Sequence, residues 1–533
     1  MNSDEVLPNL IAAIAERDPD KILIDEIDGR RLTFAEFHAR ALQWAKSAAA
    51  IGIRKDALVA TMLHTSTTAY VCWIGLSWLR APEVPINPEF RGNSLAYALN
   101  NCAAEVLFMS ERHLDKLLPI AAELRHLKTV VVPDATRSRP ELPWKVIGGD
   151  EFLAQSRDDC LQIPRYYDTH AVIYTSGTTG PSKGVLQPWA NIQGFPAGIF
   201  PGDRKGDYDD GGVYTAWPMF HASGRYALCI AVQHDLRMVM RESFSLSNFW
   251  SEIRRHRCTH ATLLVVAGLL MRQEPRADDA DNPLQRVGLY PLIPQYREFE
   301  RRFGVRTSAG YGMTEVGWVH TTGDPKDHKV AGKALPGFEV RIVNEFDEEL
   351  PPNTFGEIII RHDLPWRLNK GYLGQPEATA NAWRNGWFHT GDAGIIDDDG
   401  DLYFVDRLKD YLRHRGHNVS SFEVEAEVLC HDDVLECACV GVPSDIATAD
   451  EVVPDNDIKV FVVKKPEAEL SAEELFDYLV PRMARFMVPR YVEFVEELPR
   501  TPSQKVRKVE LRERAVVGPA TWDRVAAGRA VPR

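Results

Sequence analysis

Short apolar runs alternate with amphipathic stretches along most of the chain, a rhythm that predicts layered α/β structure. Between residues 33 and 52, Phe34, Phe37, Ala41, Trp44 and Ala45 recur at helical spacing, giving one apolar face. Thr33 and Glu36 stand at its start with the spacing of a capping box, in which hydroxyl and carboxylate satisfy the first free amides reciprocally. Gly52 supplies the stop. The runs 57–63, 106–109 and 171–174 are almost wholly apolar and predict short buried strands. Residues 339–343 and 357–361 predict two strands paired across a Pro/Glu-rich turn. Residues 394–396 and 402–405 flank Asp399-Gly400, a hairpin signal because both residues tolerate positive φ. Further on, 421–429 and 471–479 read as helices and 459–463 as a strand. The Gly/Asp-rich stretch 201–212 and the acidic stretch 273–283 predict exposed loops.

A chain of 533 residues exceeds what one core sustains. The expected class is α/β. A large multi-subdomain N-terminal α/β domain is expected over residues 1–405, a charged hinge over 406–410, and a small mobile C-terminal α+β domain over 411–533. The apolar fraction of 44% and charged fraction of 26% are ordinary for a water-soluble fold. A net charge of −14 argues against a broad nucleic-acid surface but leaves room for one small basic site. The opening residues are acidic and lack the apolar stretch of a signal peptide. Apolar runs such as 261–271 are too short for a membrane span. The eight cysteines are scattered, and Cys437 and Cys439 have no partners at zinc-like spacing. Free thiols in a reducing cytoplasm are the expectation.

The chemistry-bearing stretch is 174–185, Tyr-Thr-Ser-Gly-Thr-Thr-Gly-Pro-Ser-Lys-Gly-Val. Gly177, Gly180 and Gly184 let the backbone approach a ligand closely. Thr175, Ser176, Thr178, Thr179 and Ser182 offer hydroxyls, and Lys183 a charge. Amides, hydroxyls and one ammonium form an anion cradle suited to a polyphosphate. It is not a Walker A loop, since Gly184 rather than Ser or Thr follows Lys183.

The order of these residues resembles the phosphate loop of the adenylate-forming superfamily, which includes acyl-CoA synthetases, peptide-synthetase adenylation domains and firefly luciferase. Further family motifs follow in register. They are Trp217–Gly224 (Trp-Pro-Met-Phe-His-Ala-Ser-Gly), Tyr311–Glu315 (Tyr-Gly-Met-Thr-Glu) and Gly386–Asp392 (Gly-Trp-Phe-His-Thr-Gly-Asp). Asp406–Asp410 (Asp-Arg-Leu-Lys-Asp) and Pro499–Lys505 (Pro-Arg-Thr-Pro-Ser-Gln-Lys) complete the set.

The resemblance implies an AMP-forming acid–thiol ligase using ATP, Mg2+ and coenzyme A. It implies that Thr175, Ser176, Gly177, Thr178, Thr179 and Lys183 contact phosphates, and that Thr178 and Glu315 place magnesium. Tyr311, Gly312 and Thr314 would border the nucleotide. Asp392 would take two ribose hydroxyls, and Arg407 the ribose or phosphates. Lys505 would be the catalytic lysine and Lys409 the hinge, with Gly416 and His417 lining the approach of the thiol. His221 would orient or gate the acid, with Tyr226, Val265, Tyr290 and Trp318 lining its pocket. That largely apolar lining suits a hydrophobic or ring-containing carboxylic acid.

Gln504 stands where the family usually has Gly, and Leu289 and Tyr290 stand where it has small residues. The wording of 416–425 and 504–508 is most similar to carnitine-type and steroid-acid-type CoA ligases. No carrier module is fused, which favours free coenzyme A over a carrier thiol or amine as acceptor. A non-catalytic nucleotide-binding protein is the alternative from another class. A cytoplasmic location, no membrane span, no nucleic-acid partner and a homodimer as one assembly complete the expectations.

Overall fold

Thr33 accepts the Glu36 amide and Glu36 returns a carboxylate to the Thr33 amide, so helix Phe34–Ala50 begins at the expected capping box. Its predicted face, Phe34, Phe37, Ala41, Trp44 and Ala45, is buried throughout. The computed structural model describes residues 3–134, 142–175, 182–204, 206–208, 210–264, 266–407, 412–414, 417–419, 421–444, 456–500, 506–514 and 516–531.

Two sheets clasp this helix layer. The first runs Lys145–Gly148, Thr129–Val132, Val106–Met109, Val59–Met62, Glu83–Pro85, Thr169–Thr175 and Lys183–Pro188. All neighbours in it are parallel except the last pair. In the second, strands Arg237–Met240, Gly212–Thr215, Cys258–Leu263, Arg286–Leu289 and Arg306–Met313 lie parallel. It continues through antiparallel strands Gly317–Thr322, Val330–Ala334, Leu402–Arg407, Phe388–Ile396, Gly356–His362 and Phe338–Val343. Helix Thr67–Ser77 lies within the layer and is buried on nearly every side, as its lack of a polar face requires.

The motifs expected to bear chemistry leave the carboxyl ends of these parallel strands, where open α/β sheets bind ligands. Thr215 leads to Trp217, Leu289 to Tyr290, and Met313 to Glu315. One ion pair sits deep between the sheets. Arg225 Nη2 meets Glu83 Oε2 at 2.7 Å, and the guanidinium lies 4.7 Å from the Trp73 ring centroid. Arg225 Nε also donates to the Met219 carbonyl at 2.9 Å, which pins the 217–224 motif from behind.

Residues 339–343 and 357–361 pair as expected, Glu339 opposite Arg361 and Val343 opposite Glu357. The Asp399-Gly400 turn closes longer strands than predicted, Phe388–Ile396 and Leu402–Arg407. Residues 261–271 divide into the end of strand Cys258–Leu263 and the short helix Ala267–Met271. The 201–212 stretch is not wholly exposed: Gly212 begins a buried strand, and His260 and Arg286 draw the Asp203 carboxylate inward at 3.0 and 3.1 Å.

Beyond Arg407, strands Val434–Pro443, Asn456–Lys464, Tyr491–Phe494 and Thr521–Asp523 form a separate four-stranded sheet. Helices Ser421–Leu429 and Ala472–Leu479 pack with it through Val424, Val428, Leu475, Phe476 and Leu479. No described helix is long and apolar enough to cross a membrane.

Candidate active site

The described ends of the glycine-rich loop are held together by the sheet. Thr175 and Lys183 are register partners, and Thr175 Oγ1 donates to the Lys183 carbonyl at 3.4 Å. Ser176, Gly177, Thr178 and Thr179 lie outside the described residues. Gly184 packs closely: a Cβ there would meet Val172 Cγ1 at 2.8 Å, so any side chain would force its neighbours to shift.

A segment that sequence reasoning missed, 369–373, runs along the strand leaving this loop. Lys370 and Leu373 donate their amides to the Leu186 and Gly184 carbonyls, and Leu186 donates to the Gly371 carbonyl. The same segment grips the Tyr311–Glu315 motif. The Asn369 amide and side chain both donate to the Glu315 carbonyl, at 2.8 and 3.0 Å. Tyr372 Oη donates to Glu315 Oε1 at 3.3 Å, and the Lys183 ammonium lies 4.9 Å from the Tyr372 ring centroid. The available signal was Lys370-Gly371-Tyr372, with Gly371 at φ 107° just before the turn into helix Pro376–Ala382.

Glu315 is buried, and desolvation holds its carboxyl above the usual range while the charge of Arg407 pulls the other way. Gln187 Nε2 steadies the preceding residue through the Thr314 carbonyl at 2.7 Å. Gly312 is obligatory, because a Cβ there would meet the Gly317 carbonyl oxygen at 2.3 Å. Tyr311 donates its hydroxyl to Asp392 Oδ2 at 2.7 Å, and burial pushes that hydroxyl's pKa up. The Arg407 guanidinium sits 2.8 Å from Asp392 Oδ1. Its charge acts on Tyr311, Glu315 and Tyr372 alike, so four chain-distant motifs share one neighbourhood. Asp392 is aimed from below: Glu357 accepts the Gly391 amide at 3.0 Å and contacts His389 Nδ1 at 2.9 Å.

Among the residues expected to meet the acid, His221 caps helix Ala222–His234. Its Nδ1 accepts the Ser223 amide at 3.2 Å, which places the proton of the neutral ring on Nε2. Tyr226 stacks on Phe195 at 5.0 Å, and Trp318 meets the Tyr290 ring edge-on at 4.5 Å. Phe195 and Trp318 lie 5.9 Å apart, so the rings make one aromatic cluster. Phe195 was not among the expected residues, and Val265 lies outside the described ones. Tyr290 Oη reaches the Ile199 carbonyl at 3.3 Å.

Lys409, Gly416 and Lys505 lie outside the described residues. His417 opens strand His417–Val419, which pairs with Leu412–His414. The flanks of these positions are tightly held. Asp406 Oδ2 caps helix Ser421–Leu429 by accepting the Ser421 amide at 2.9 Å and its hydroxyl at 2.5 Å. Lys508 donates to Ser421 Oγ and lies 2.8 Å from Glu425 Oε1, itself acceptor of the Cys439 amide at 2.7 Å. Among the described residues, two other carboxylate clusters already hold a cation of the chain. Arg384 lies between Asp347 and Glu357, and Lys326 faces Asp397, Asp399 and Asp401.

Glu315 fits a cation site. It is a buried carboxylate with one hydroxyl donor from Tyr372, leaving acceptor capacity for a hard metal ion.

Comparison with known proteins agrees with this geometry. Residues 11–373 match the family model described as AMP-binding enzyme, and residues 423–505 match that of the AMP-binding enzyme C-terminal domain. The chain is 33% identical over 477 residues to the crotonobetaine/carnitine–CoA ligase of Salmonella arizonae, across 87% of this chain and 89% of that protein. It is 30% identical to the Proteus mirabilis protein of the same name, across 91% and 93%. ATP-bound MatB from Rhodopseudomonas palustris superposes with a TM-score of 0.79 at 26% identity, over 96% and 99% of the two chains. O-succinylbenzoate CoA synthetase from Bacillus subtilis, in complex with AMP, shares the fold with a TM-score of 0.80 at 24% identity, over 95% and 98%. With both family models matched in order, and relatives 30–33% identical over most of the chain, the chain belongs to the AMP-binding enzymes of the adenylate-forming superfamily.

Proposed function

We propose that the chain is an AMP-forming acid–CoA ligase. It uses ATP to convert a carboxylic acid to its acyl-adenylate with release of pyrophosphate, then moves the acyl group to the thiol of coenzyme A and releases AMP. The observation that supports this most is the gathering of Lys183, Tyr311, Glu315, Asp392 and Arg407 around one spot at the carboxyl ends of the strands. A carboxylate attacking an α-phosphate meets like charge, so catalysis needs cations and oriented donors where charge grows. Bound Mg2+ supplies charge neutralisation at the phosphates. In this reading Glu315, with Thr178, holds that ion. Asp392 takes the ribose hydroxyls, and Lys183 and the hydroxyls of 175–179 cradle the phosphates.

Lys505 reaches the α-phosphate when residues 411–533 close over 1–405 about the hinge 406–410, with Lys409 as pivot. A second orientation presents Gly416 and His417 to the thiol. His221, with its proton on Nε2, donates toward the acid. For the acid itself, the cluster of Phe195, Tyr226, Tyr290 and Trp318 supports a compact hydrophobic or ring-containing molecule. The same ring faces suit a quaternary ammonium acid, in line with the substrates named for the crotonobetaine/carnitine relatives. The reading also proposes a cytoplasmic location, and a homodimer as one assembly to test by sedimentation.

ATP–pyrophosphate exchange across aromatic, alicyclic, short-chain and trimethylammonium acids tests the first half-reaction, and thioester formation on adding coenzyme A tests the second. Exchange without thioester would redirect the acyl group to another acceptor. Binding of ATP without exchange for any acid would overturn the proposal.

A further inference from the structure

We infer that Tyr372 is a positioning residue for adenylation: its hydroxyl orients the Glu315 carboxylate while its ring fixes the Lys183 ammonium. The inference rests on the proposed roles of Glu315 at the metal and Lys183 at the phosphates.

The side chain stands between the two groups. Tyr372 Oη donates to Glu315 Oε1 at 3.3 Å, and the opposite partner, Lys183 Nζ, lies 4.9 Å from the ring centroid. A donor on one carboxylate oxygen restricts rotation of the group, yet a carboxylate has about four acceptor sites, so most remain for a cation. An ammonium over an aromatic face keeps its charge and its donors while losing freedom to wander. One rigid ring therefore sets the spacing between the negative group that would hold the metal and the positive group that would meet the phosphates.

The backbone under Tyr372 is itself fixed from three sides. Its amide donates to Thr379 Oγ1 at 2.9 Å, in the middle of helix Pro376–Ala382. Its neighbours Lys370, Gly371 and Leu373 are bonded to the strand that leaves the phosphate loop. Asn369 holds the Glu315 carbonyl with two hydrogen bonds. Gly371 packs so closely on Thr379 that a Cβ there would meet its Cγ2 at 2.6 Å. A loose surface tyrosine would need none of this anchoring.

The test uses the full chain with Tyr372→Phe, Tyr372→Leu and Glu315→Gln, a cognate acid, and free Mg2+ varied at fixed ATP. Tyr372→Phe keeps the ring and loses the donor. The Mg2+ concentration for half-maximal ATP–pyrophosphate exchange should rise about ten-fold, the scale of one hydrogen bond to a charged group. The KM for the acid and the rate of thioester formation from presynthesised acyl-adenylate should stay at wild-type values. Tyr372→Leu removes the ring as well and should add a rise of about three-fold in the KM for ATP. Unchanged Mg2+ dependence in Tyr372→Phe would overturn the inference, and so would an equal loss in the thioester step, which marks general misfolding. A Glu315→Gln enzyme with wild-type Mg2+ dependence would instead overturn the assignment of the metal site itself.

Discussion

Arg407 and Asp392 are direct register partners on neighbouring antiparallel strands, and their side chains meet at 2.8 Å. Strand pairing brings the opposed Cα atoms to about 5 Å, so the contact needs no loop to fold onto another. The proposed ribose motif and the residue entering the expected hinge are thus aligned by the sheet itself. Tyr311 takes the other Asp392 oxygen, adding a third motif to the same carboxylate.

Asp392→Asn should weaken ATP binding. The substitution keeps the shape of the side chain but halves its acceptors and removes the charge opposite Arg407. The KM for ATP in pyrophosphate exchange should rise about ten-fold or more, the cost of a charge-assisted hydrogen bond. Thioester formation from presynthesised acyl-adenylate should fall less, because that intermediate is held through its acyl part too. Saturation curves in ATP for the two enzymes decide the matter.

The pair Lys508–Glu425 makes a prediction about stability. Both side chains are largely buried, at 16% and 15% exposure; Glu425 also accepts the Cys439 amide, and Lys508 donates to Ser421 Oγ. Lys508→Met strands a buried carboxylate and should cost about 3–5 kcal/mol. Adding Glu425→Gln should recover most of that loss. Thermal unfolding of the full chain should therefore show a lowered midpoint in the single variant and partial restoration in the double. Simple loss of packing would lower it in both.

Much of this architecture was legible from the order of residues. The capping box at Thr33, the hairpin at Asp399-Gly400 and the helix at 421–429 rest on local chemistry, and local chemistry is what a sequence displays. The site motifs were legible because glycines and charged residues at fixed spacing leave few readings. Hidden were the contacts that depend on tertiary closure. Tyr372 looked like any tyrosine in a polar stretch until strand Lys183–Pro188 and Glu315 met around it. Arg225 and Glu83 are 142 positions apart, and nothing local in either announces a buried pair. Asp203 sat in a stretch whose composition says surface, yet His260 and Arg286 bind it inward.

His320 makes the fold sensitive to acid. It is buried in strand Gly317–Thr322, and desolvation lowers its pKa from 6.5 to about 3. Between those values the unfolded chain binds a proton that the folded one refuses. Stability therefore falls as pH drops through that window, by about 1.4 kcal/mol per pH unit for this one group. Above pH 6.5 the residue contributes no slope. His113 and His362, each lowered to about 4, act in the same direction over a narrower range. His320→Phe should flatten the fall of the unfolding midpoint between pH 6 and 4, removing the share of one proton. An unchanged pH slope would show that His320 is protonated in the folded state.

Trp318 is gripped between two glycines, and that grip predicts how the proposed acid pocket responds to mutation. A Cβ at Gly198 would lie 1.8 Å from Trp318 Cδ1, and one at Gly310 would lie 2.6 Å from its Cζ2. The indole edge thus occupies space that any larger residue at either position would claim. Gly198→Ala should displace the ring toward Tyr290 and Phe195, cost about 1–3 kcal/mol by overpacking, and raise the KM for the cognate acid. Trp318→Ala leaves a cavity instead, at a cost of about 3–5 kcal/mol if the site cannot collapse. That cavity should admit bulkier acids, shifting preference in kcat/KM toward longer or larger substrates. In the double variant the added methyl faces the vacated space, so Gly198→Ala should cost little once Trp318 is gone. The two effects are therefore strongly non-additive, as contact pairs are. Exchange assays with a graded series of acids on the four enzymes measure it. Equal penalties for Gly198→Ala with and without the indole would show that the ring does not set the size of the pocket.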